Sequence, residues 1–564
     1  MAFSCIVNIM KIKIEILDDW LTLEEGSASL HIQSCKEDHN RAVFYERMKD
    51  VISELINKSS TDEIIKFLSS KEFYHLSFVF KSTDVIVLKT DIVRSVPLFY
   101  SLNNNQIFIS DKNNPNDKYE LNKESIIQMV ELGYVLGDQT VYKNVFGAQA
   151  AEIIVIKKDS IHKDRFFKYD IAQESENKDT LDVNRCAIKL DKIFTEIFQE
   201  IVESIPKEGR IIVPLSGGHD SRMIVNYLYK IGFKDVLCYS YGIPDNIQSE
   251  LSRQVANALG YDWHFIEYTE EKWEELHKNG DFDNFIDYSF NGVSNPHFQD
   301  FLAVYELKKT GALKPGDVFI PGHGLDILST IENYLQNNED IISEVVKRFS
   351  RSSEISDDMD EVLHNRYASI FENSAVSKNS FIDYLFWQER AAKFTVNSLQ
   401  VYKFYGYATR LPFWDIRLIN FWLGIDLHLK KTQAFLIALE KECLLARQIR
   451  EIPFATRKSS HVKNKKDFKD YVPDFLKILY LRMSKRKQPQ SEGLNLIYNK
   501  KAKSVSELMG STDRWPDEII NSIGLDLKRY PFQINHHFLT RLYTVNKLLN
   551  TNDSKEGLKQ SLRG

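Results

Sequence analysis

The chain has 564 residues, too many for one ordinary hydrophobic core, so two or three domains are expected. It is 43% hydrophobic, 12% aromatic and 27% charged, a profile that excludes an intrinsically disordered chain. Its net charge of -6, from 73 basic and 79 acidic residues, argues against a general nucleic-acid binder.

The N-terminal run from Met1 to Met10 is mildly apolar but lacks a basic leader and a small-residue cleavage site, and it reads as a first strand rather than a signal peptide. No apolar run reaches bilayer-spanning length. Cys5, Cys35, Cys186, Cys238 and Cys443 are scattered, with no C-x-x-C pair and no histidine at metal-ligand spacing. That pattern fits the reducing cytoplasm, with neither a disulfide framework nor a zinc site.

Up to about residue 170, short apolar or alternating runs (Phe3 to Ile9, Leu76 to Phe80, Val85 to Lys89, Gln106 to Ile109, Glu152 to Ile156) predict half-buried antiparallel strands in a layered α+β domain. The polar stretch Ala172 to Lys178 reads as a linker. A helix follows, with apolar positions at Ile188, Leu190, Ile193, Ile197, Phe198 and Ile201. Strands at Arg210 to Leu215, Val236 to Tyr241 and Trp263 to Tyr268 then alternate with helices stopped by Gly232 and Gly260. This βαβαβ order predicts a parallel sheet covered by helices, with ligands beyond the carboxyl ends of its strands. From about Glu344 the chain reads as helical, and the aromatics of Trp387 to Tyr405 and Arg417 to Trp422 as helical core. Arg457 to Lys469 and Lys485 to Lys487 are basic, and charge runs of this kind are usually solvated surface.

The strongest local signal is Pro214-Leu215-Ser216-Gly217-Gly218-His219-Asp220-Ser221, where the first parallel strand turns into a helix. Gly217 and Gly218 allow backbone N–H groups to close around a polyphosphate at a positive helix end. The Ser216 and Ser221 hydroxyls can donate to phosphate oxygens, and Asp220 can hold magnesium. A plain turn with a serine cap is the structural alternative.

This segment resembles the SGGxDS pyrophosphate loop of the ATP pyrophosphatase superfamily, and the chain around it resembles the asparagine synthetase family. That resemblance implies an α/β ATP-pyrophosphatase domain with a helical C-terminal part over residues 180–470. It places Gly242 and Glu250 around the adenosine. It aligns Pro321-Gly322-His323-Gly324-Leu325-Asp326-Ile327 with the family's G-x-G-x-D-E loop, so that Gly322 and Gly324 contact pyrophosphate and Asp326 joins Asp220 on magnesium. Ile327 departs from the family's second acid, and His323 stands where asparagine synthetases place a glutamate, which deprotonates the incoming nitrogen or stabilises the tetrahedral intermediate. A histidine can do such proton work near neutrality. Tyr407 to Arg417 is similar to E-x-R-x-P-F-L-D, with Ala408 for the glutamate; Arg410 and Asp415 read either as braces of the ATP cleft or as a buried structural pair. Lys458 falls where relatives carry a basic loop over pyrophosphate.

Residues 1–170 resemble a class II glutamine-amidotransferase domain of the Ntn-hydrolase type, through Leu76 to Phe80 and Asp91 to Tyr100. Ala2 replaces the cysteine whose freed amino group serves as base in active glutaminases, so loss of glutamine hydrolysis is expected. Residues 471–564 form a C-terminal extension, expected to be helical, of unassigned role. The implied function is adenylation of a small-molecule carboxylate with ATP and Mg2+, then amide formation with ammonia or an amine. Asparagine, a uronic-acid amide and an intramolecular amide stay open as products, as do a nucleotide-binding regulator and a tRNA thiolase; the last would want a nucleophilic cysteine and a basic surface. No nucleic-acid or membrane partner is expected, and a homodimer is left open.

Overall fold

The computed structural model describes residues 11–16, 20–34, 41–103, 106–112, 120–158, 160–170, 183–325, 340–350, 357–425, 427–430, 434–455 and 544. The expectations for Phe3 to Ile9, the linker, Asp326, Lys458, both basic runs and the C-terminal extension, Thr544 apart, lie outside these residues.

The front of the chain builds two sheets. The first has six antiparallel strands in the order β10-β9-β5-β4-β3-β2, where β2 is Leu21–Glu25, β3 Ala28–Ser34, β4 Leu76–Lys81, β5 Val85–Lys89, β9 Glu152–Lys157 and β10 Ser160–Arg165. The second runs β1-β7-β6-β8, from Lys11–Glu15, Gln106–Ser110, Phe99–Asn103 and Val145–Gly147, with β1 parallel to β7. Helices α1 (Arg41–Asn57) and α2 (Thr61–Leu68) cover the outer face of the larger sheet.

The predicted half-burial is corrected here. Phe78, Phe80 and Val87 pack toward Ile52, Leu55 and Ile64 of the two helices, whereas Val79, Ile86 and Leu88 pack toward Tyr100, Ile107 and Ile109 of the second sheet. Both faces of β4 and β5 are therefore buried. A short β-branched run carries no mark of how many of its faces will be covered.

The chain passes α3 (Lys123–Leu132) and α4 (Val183–Glu203) before the third sheet. In α4, Leu190, Phe194, Ile197, Phe198 and Ile201 are buried, but Ile188 is 72% exposed. Two residues before Leu190, Ile188 sits roughly 200° around the helix from it, so it faces water.

All five strands of the third sheet are parallel, in the order β13-β12-β11-β14-β15. They are β11 Ile211–Pro214, β12 Val236–Gly242, β13 Asp262–Glu267, β14 Val318–Phe319 and β15 Ala408–Thr409. From β11 the chain moves one way through α5 (Asp220–Lys230), β12, α6 (Ile247–Leu259) and β13; after α7 (Glu270–Lys278), α8 (Asp281–Ser289) and α9 (Phe301–Lys309) it returns to place β14 on the other side of β11. The order therefore reverses between β11 and β14. A crevice opens at such a switch point because the two crossovers leave in opposite directions. Ile211, Ile212 and Val213 are fully buried, so both faces of β11 are covered.

The described residues between 341 and 455 are mainly helical, but Trp387 to Tyr405 is not one regular helix. Leu385–Thr395 is wound as a π-helix, Val396–Leu399 tightens to a 3₁₀ turn, and Gln400–Phe404 is α-helical. Buried Lys393 in this stretch pairs with Glu389 and donates to the carbonyls of Val135 and Gly137, 2.9 and 2.7 Å away. A buried ammonium needs such acceptors, and these bonds tie the front sheets to the third-sheet unit. Among the described residues no helix is long and apolar enough to cross a membrane.

Candidate active site at the switch point

The carboxyl ends of β11 and β14 border a cavity of about 370 Å³, within the range of small-molecule sites. Its first wall is the glycine-rich turn, from which Ser216, Gly218, His219, Asp220 and Ser221 reach the cavity. Asp220 opens α5, an 11-residue helix, so the carboxylate stands at the helix's positive end.

The turn is already hydrogen-bonded to the protein. The Ser216 amide donates to Ser221 Oγ at 3.0 Å, the Gly218 amide to Ser216 Oγ at 3.2 Å, and the Gly217 amide to Gln248 Oε1 at 2.8 Å. In this conformation hydroxyl and side-chain amide oxygens occupy these amides. Gly217 lies under the 454–455 segment, its carbonyl accepting from the Ala455 amide at 2.9 Å.

The second wall comes from Pro321, Gly322 and His323 after β14. A Cβ on Gly322 would stand 2.7 Å from the Ser221 amide nitrogen, so only glycine lets the two loops meet this closely. Gly324 lies behind the wall with φ +114°, its Cα against the Trp414 indole, whose Nε1 donates to the His323 carbonyl at 2.9 Å. His323 Nε2 is 3.0 Å from Ser398 Oγ, and that hydroxyl donates its proton to the Thr395 carbonyl at 2.7 Å. Ser398 can then only accept from the imidazole. In neutral His323 this network puts the proton on Nε2 and leaves Nδ1 as the basic nitrogen.

Tyr241, His297, Gln299, Asp300 and Val401 complete the cavity. Among the described residues no lysine or arginine lines it.

Other sequence-derived residues fall elsewhere. Glu250 is turned outward onto Arg253, 2.8 Å away, and does not line the cavity; Gln248, two residues earlier, is what touches the loop. Gly242, with φ +123°, ends β12 beside the cavity-lining Tyr241. Arg410 donates to Ser204 Oγ at 3.0 Å, while Asp415 caps the helix Ile416–Leu423 and binds Arg417 at 2.9 Å.

Behind the loop, His219 Nδ1 meets buried Glu440 and its ring stacks on Phe454. Buried Arg222 lies over the same ring at 4.0 Å and donates to the carbonyls of Ile452 and Pro453, at 2.6 and 2.8 Å. Burial pulls this guanidinium down to about 10.

Sequence reasoning missed Asp300, His297, Gln299 and Ser398. Asp300 alone left a trace, as an acid just before a helical run; the others carry no local signature.

A parallel α/β domain with a glycine-rich turn at its switch point is the class that this architecture defines. No protein-family model and no curated protein sequence matches the chain. Among solved structures it is similar to an NH3-dependent NAD synthetase from Campylobacter jejuni, at 11% identity over 34% of this chain and 85% of that one, with a TM-score of 0.18. It is also similar to an NMN synthetase from Francisella tularensis, at 11% identity over 37% and 94% of the two chains and a TM-score of 0.20. A glutamine phosphoribosylpyrophosphate amidotransferase from B. subtilis matches at 11% identity over 44% and 73%, with a TM-score of 0.19. Likenesses of this extent set neither family nor activity.

Proposed function

We propose that the chain is an ATP-dependent, AMP-forming carbon–nitrogen ligase of the asparagine-synthetase kind. The observation that carries this reading is the contact between Gly322 and the Ser221 amide, which brings two glycine loops and Asp220 to one cavity at the switch point.

The residues present suit a magnesium–triphosphate. The Ser216 and Ser221 hydroxyls, which now accept from loop amides, can turn to donate to phosphate oxygens and release those amides to do the same. Asp220, with Asp326 as a second carboxylate, supplies the oxygen ligands that Mg2+ prefers. When bound, the ion offsets negative charge on the departing pyrophosphate. Without it, Asp220 and Asp300 would repel a triphosphate, since the described lining offers no lysine or arginine. Lys458 is proposed to add basic charge over the same group.

In the first step a substrate carboxylate attacks the α-phosphorus of ATP, and donors of the turn stabilise the charge that develops on pyrophosphate. In the second an amine attacks the acyl-adenylate and AMP leaves. Nδ1 of His323, oriented by the Ser398 bond on Nε2, takes the proton that the amine sheds. The front unit, residues 1–170, is proposed to be an amidotransferase-like domain without glutaminase activity, since Ala2 cannot act as a nucleophile. Residues 180–470 would then be the ligase unit, acting in the cytoplasm.

Carboxylate-dependent exchange of labelled pyrophosphate into ATP tests the first step. Wild-type protein should exchange and Asp220→Ala should not, with its circular dichroism unchanged. ATP binding without exchange or AMP release, across a panel of carboxylates, would instead mark a nucleotide-binding regulator.

A further inference from the structure

Asp300 occupies the N-cap of α9, where an aspartate side chain ordinarily accepts from helix amides and stabilises the helix by about 0.5–2 kcal/mol. Here it makes no cap hydrogen bond; only its backbone carbonyl accepts, from Val304 at 3.0 Å. The carboxylate is turned instead to the cavity wall. There the Tyr239 and Tyr402 hydroxyls both donate to Oδ2, at 3.1 and 2.5 Å, and Tyr241 lines the same cavity beside it. These tyrosines come from β12 and from Gln400–Phe404, so separate elements converge on one acid. Burial first, and Asp300 second, hold all three phenols well above their ordinary range, so they remain protonated and can keep donating.

We propose that Asp300 anchors an ammonium-binding subsite, and that the amine partner of the reaction enters as a primary alkylammonium ion. The two phenol donors hold the carboxylate in one orientation. The described lining offers no lysine or arginine; its only ionisable bases are the imidazoles of His219, His297 and His323, so a ligand ammonium would bring the permanent positive charge that faces Asp300. Tyr241, stacked on Tyr268 at 5.0 Å and 8°, adds an aromatic wall of the kind that attracts cations. A divalent metal suits the place poorly. It wants several oxygen ligands, whereas this is one carboxylate with phenolic protons aimed at it. Among the described residues, no group of three or more potential ligands forms a metal site.

The role as a co-substrate site rests on the ligase reading; the binding itself does not. Butylammonium chloride is titrated into the full-length chain by calorimetry, with and without a non-hydrolysable ATP analogue, and 1-butanol serves as the uncharged probe of the same length. Wild-type protein should bind butylammonium at least tenfold more tightly than butanol, and Asp300→Asn should lose that preference while still binding the ATP analogue. Tyr402→Phe, which removes one donor and keeps the ring, should weaken butylammonium binding by a smaller factor. Equal affinity for the two probes on wild-type protein overturns the subsite, and so does an unchanged preference in folded Asp300→Asn. Should Asp300→Asn fail to fold, the two probes on wild-type protein decide. Failure of the ligase reading appears separately, as absent ATP binding and absent pyrophosphate exchange in wild-type protein.

Discussion

His219 Nδ1 lies 2.6 Å from Oε2 of Glu440, a fully buried carboxylate 221 positions further along the chain. The imidazole also stacks on Phe454 at 3.9 Å between ring centroids. The one unspecified position of the glycine-rich turn thus fastens the turn to the far end of the unit, alongside the Gly217 carbonyl that accepts from the Ala455 amide.

Phe454→Ala removes a nearly buried ring that contacts both His219 and Arg222. Truncations of buried phenylalanine cost about 3–5 kcal/mol, and the lower part of that range is expected, because Arg222 keeps its carbonyl partners. The turn should loosen with it, weakening ATP binding several-fold. Guanidinium denaturation and nucleotide titration measure the two effects; a destabilised variant with full ATP affinity would show that the fastening does not shape the turn.

Gly322→Ala should force the two loops apart, since the new methyl would stand 2.7 Å from a backbone nitrogen. Overpacking of this kind costs about 1–3 kcal/mol, and AMP formation should fall at least tenfold. Gly424→Ala is the control, because its nearest atoms are 3.5 Å away and its φ is ordinary. Equal activity of the two variants would contradict the role given to the loop contact.

Ser398→Ala removes the acceptor that places the His323 proton on Nε2. Amide formation should slow about tenfold, less than the ~10²-fold or more that a positioned base contributes, because His323 itself stays in place. Pyrophosphate exchange should stay near wild type, because adenylation needs no proton from the amine. Parallel loss of both rates would place Ser398 in the fold rather than in the second step.

Lys393 provides a pH test of the junction with the front sheets. Burial is the largest influence on its ammonium and pulls it from the ordinary 10.5 down to about 8, against the opposing pull of Glu389. Between those values the unfolded chain holds more protons at this site than the folded one, so the contribution of Lys393 to stability rises with pH across that window. The denaturation midpoint of wild-type protein, compared with that of Lys393→Met, should therefore gain ground from pH 8 to pH 10. Parallel curves for the two proteins would contradict this.

The alternation of β11, α5, β12, α6 and β13 was legible in the residues, because local periodicity and glycine stops carry it; Gly232 and Gly260 both take the left-handed backbone expected of them. The junction turn was legible for the same local reason. The fate of its amides was not, since Gln248 lies 31 positions from Gly217 and nothing near the turn announces it. Glu250 shows the converse: an acid in the first turn of a helix is visible in sequence, but which way it faces depends on the sheet beneath.

By itself, then, the sequence determined the parallel unit and the place where its glycine turn interrupts strand and helix, since these follow from neighbours along the chain. Only the tertiary structure decided that Asp300, His323, Ser398 and Tyr241 share one cavity. Their approach is produced by the reversal of strand order between β11 and β14, and long-range packing of that sort leaves no periodic trace in the residues it brings together.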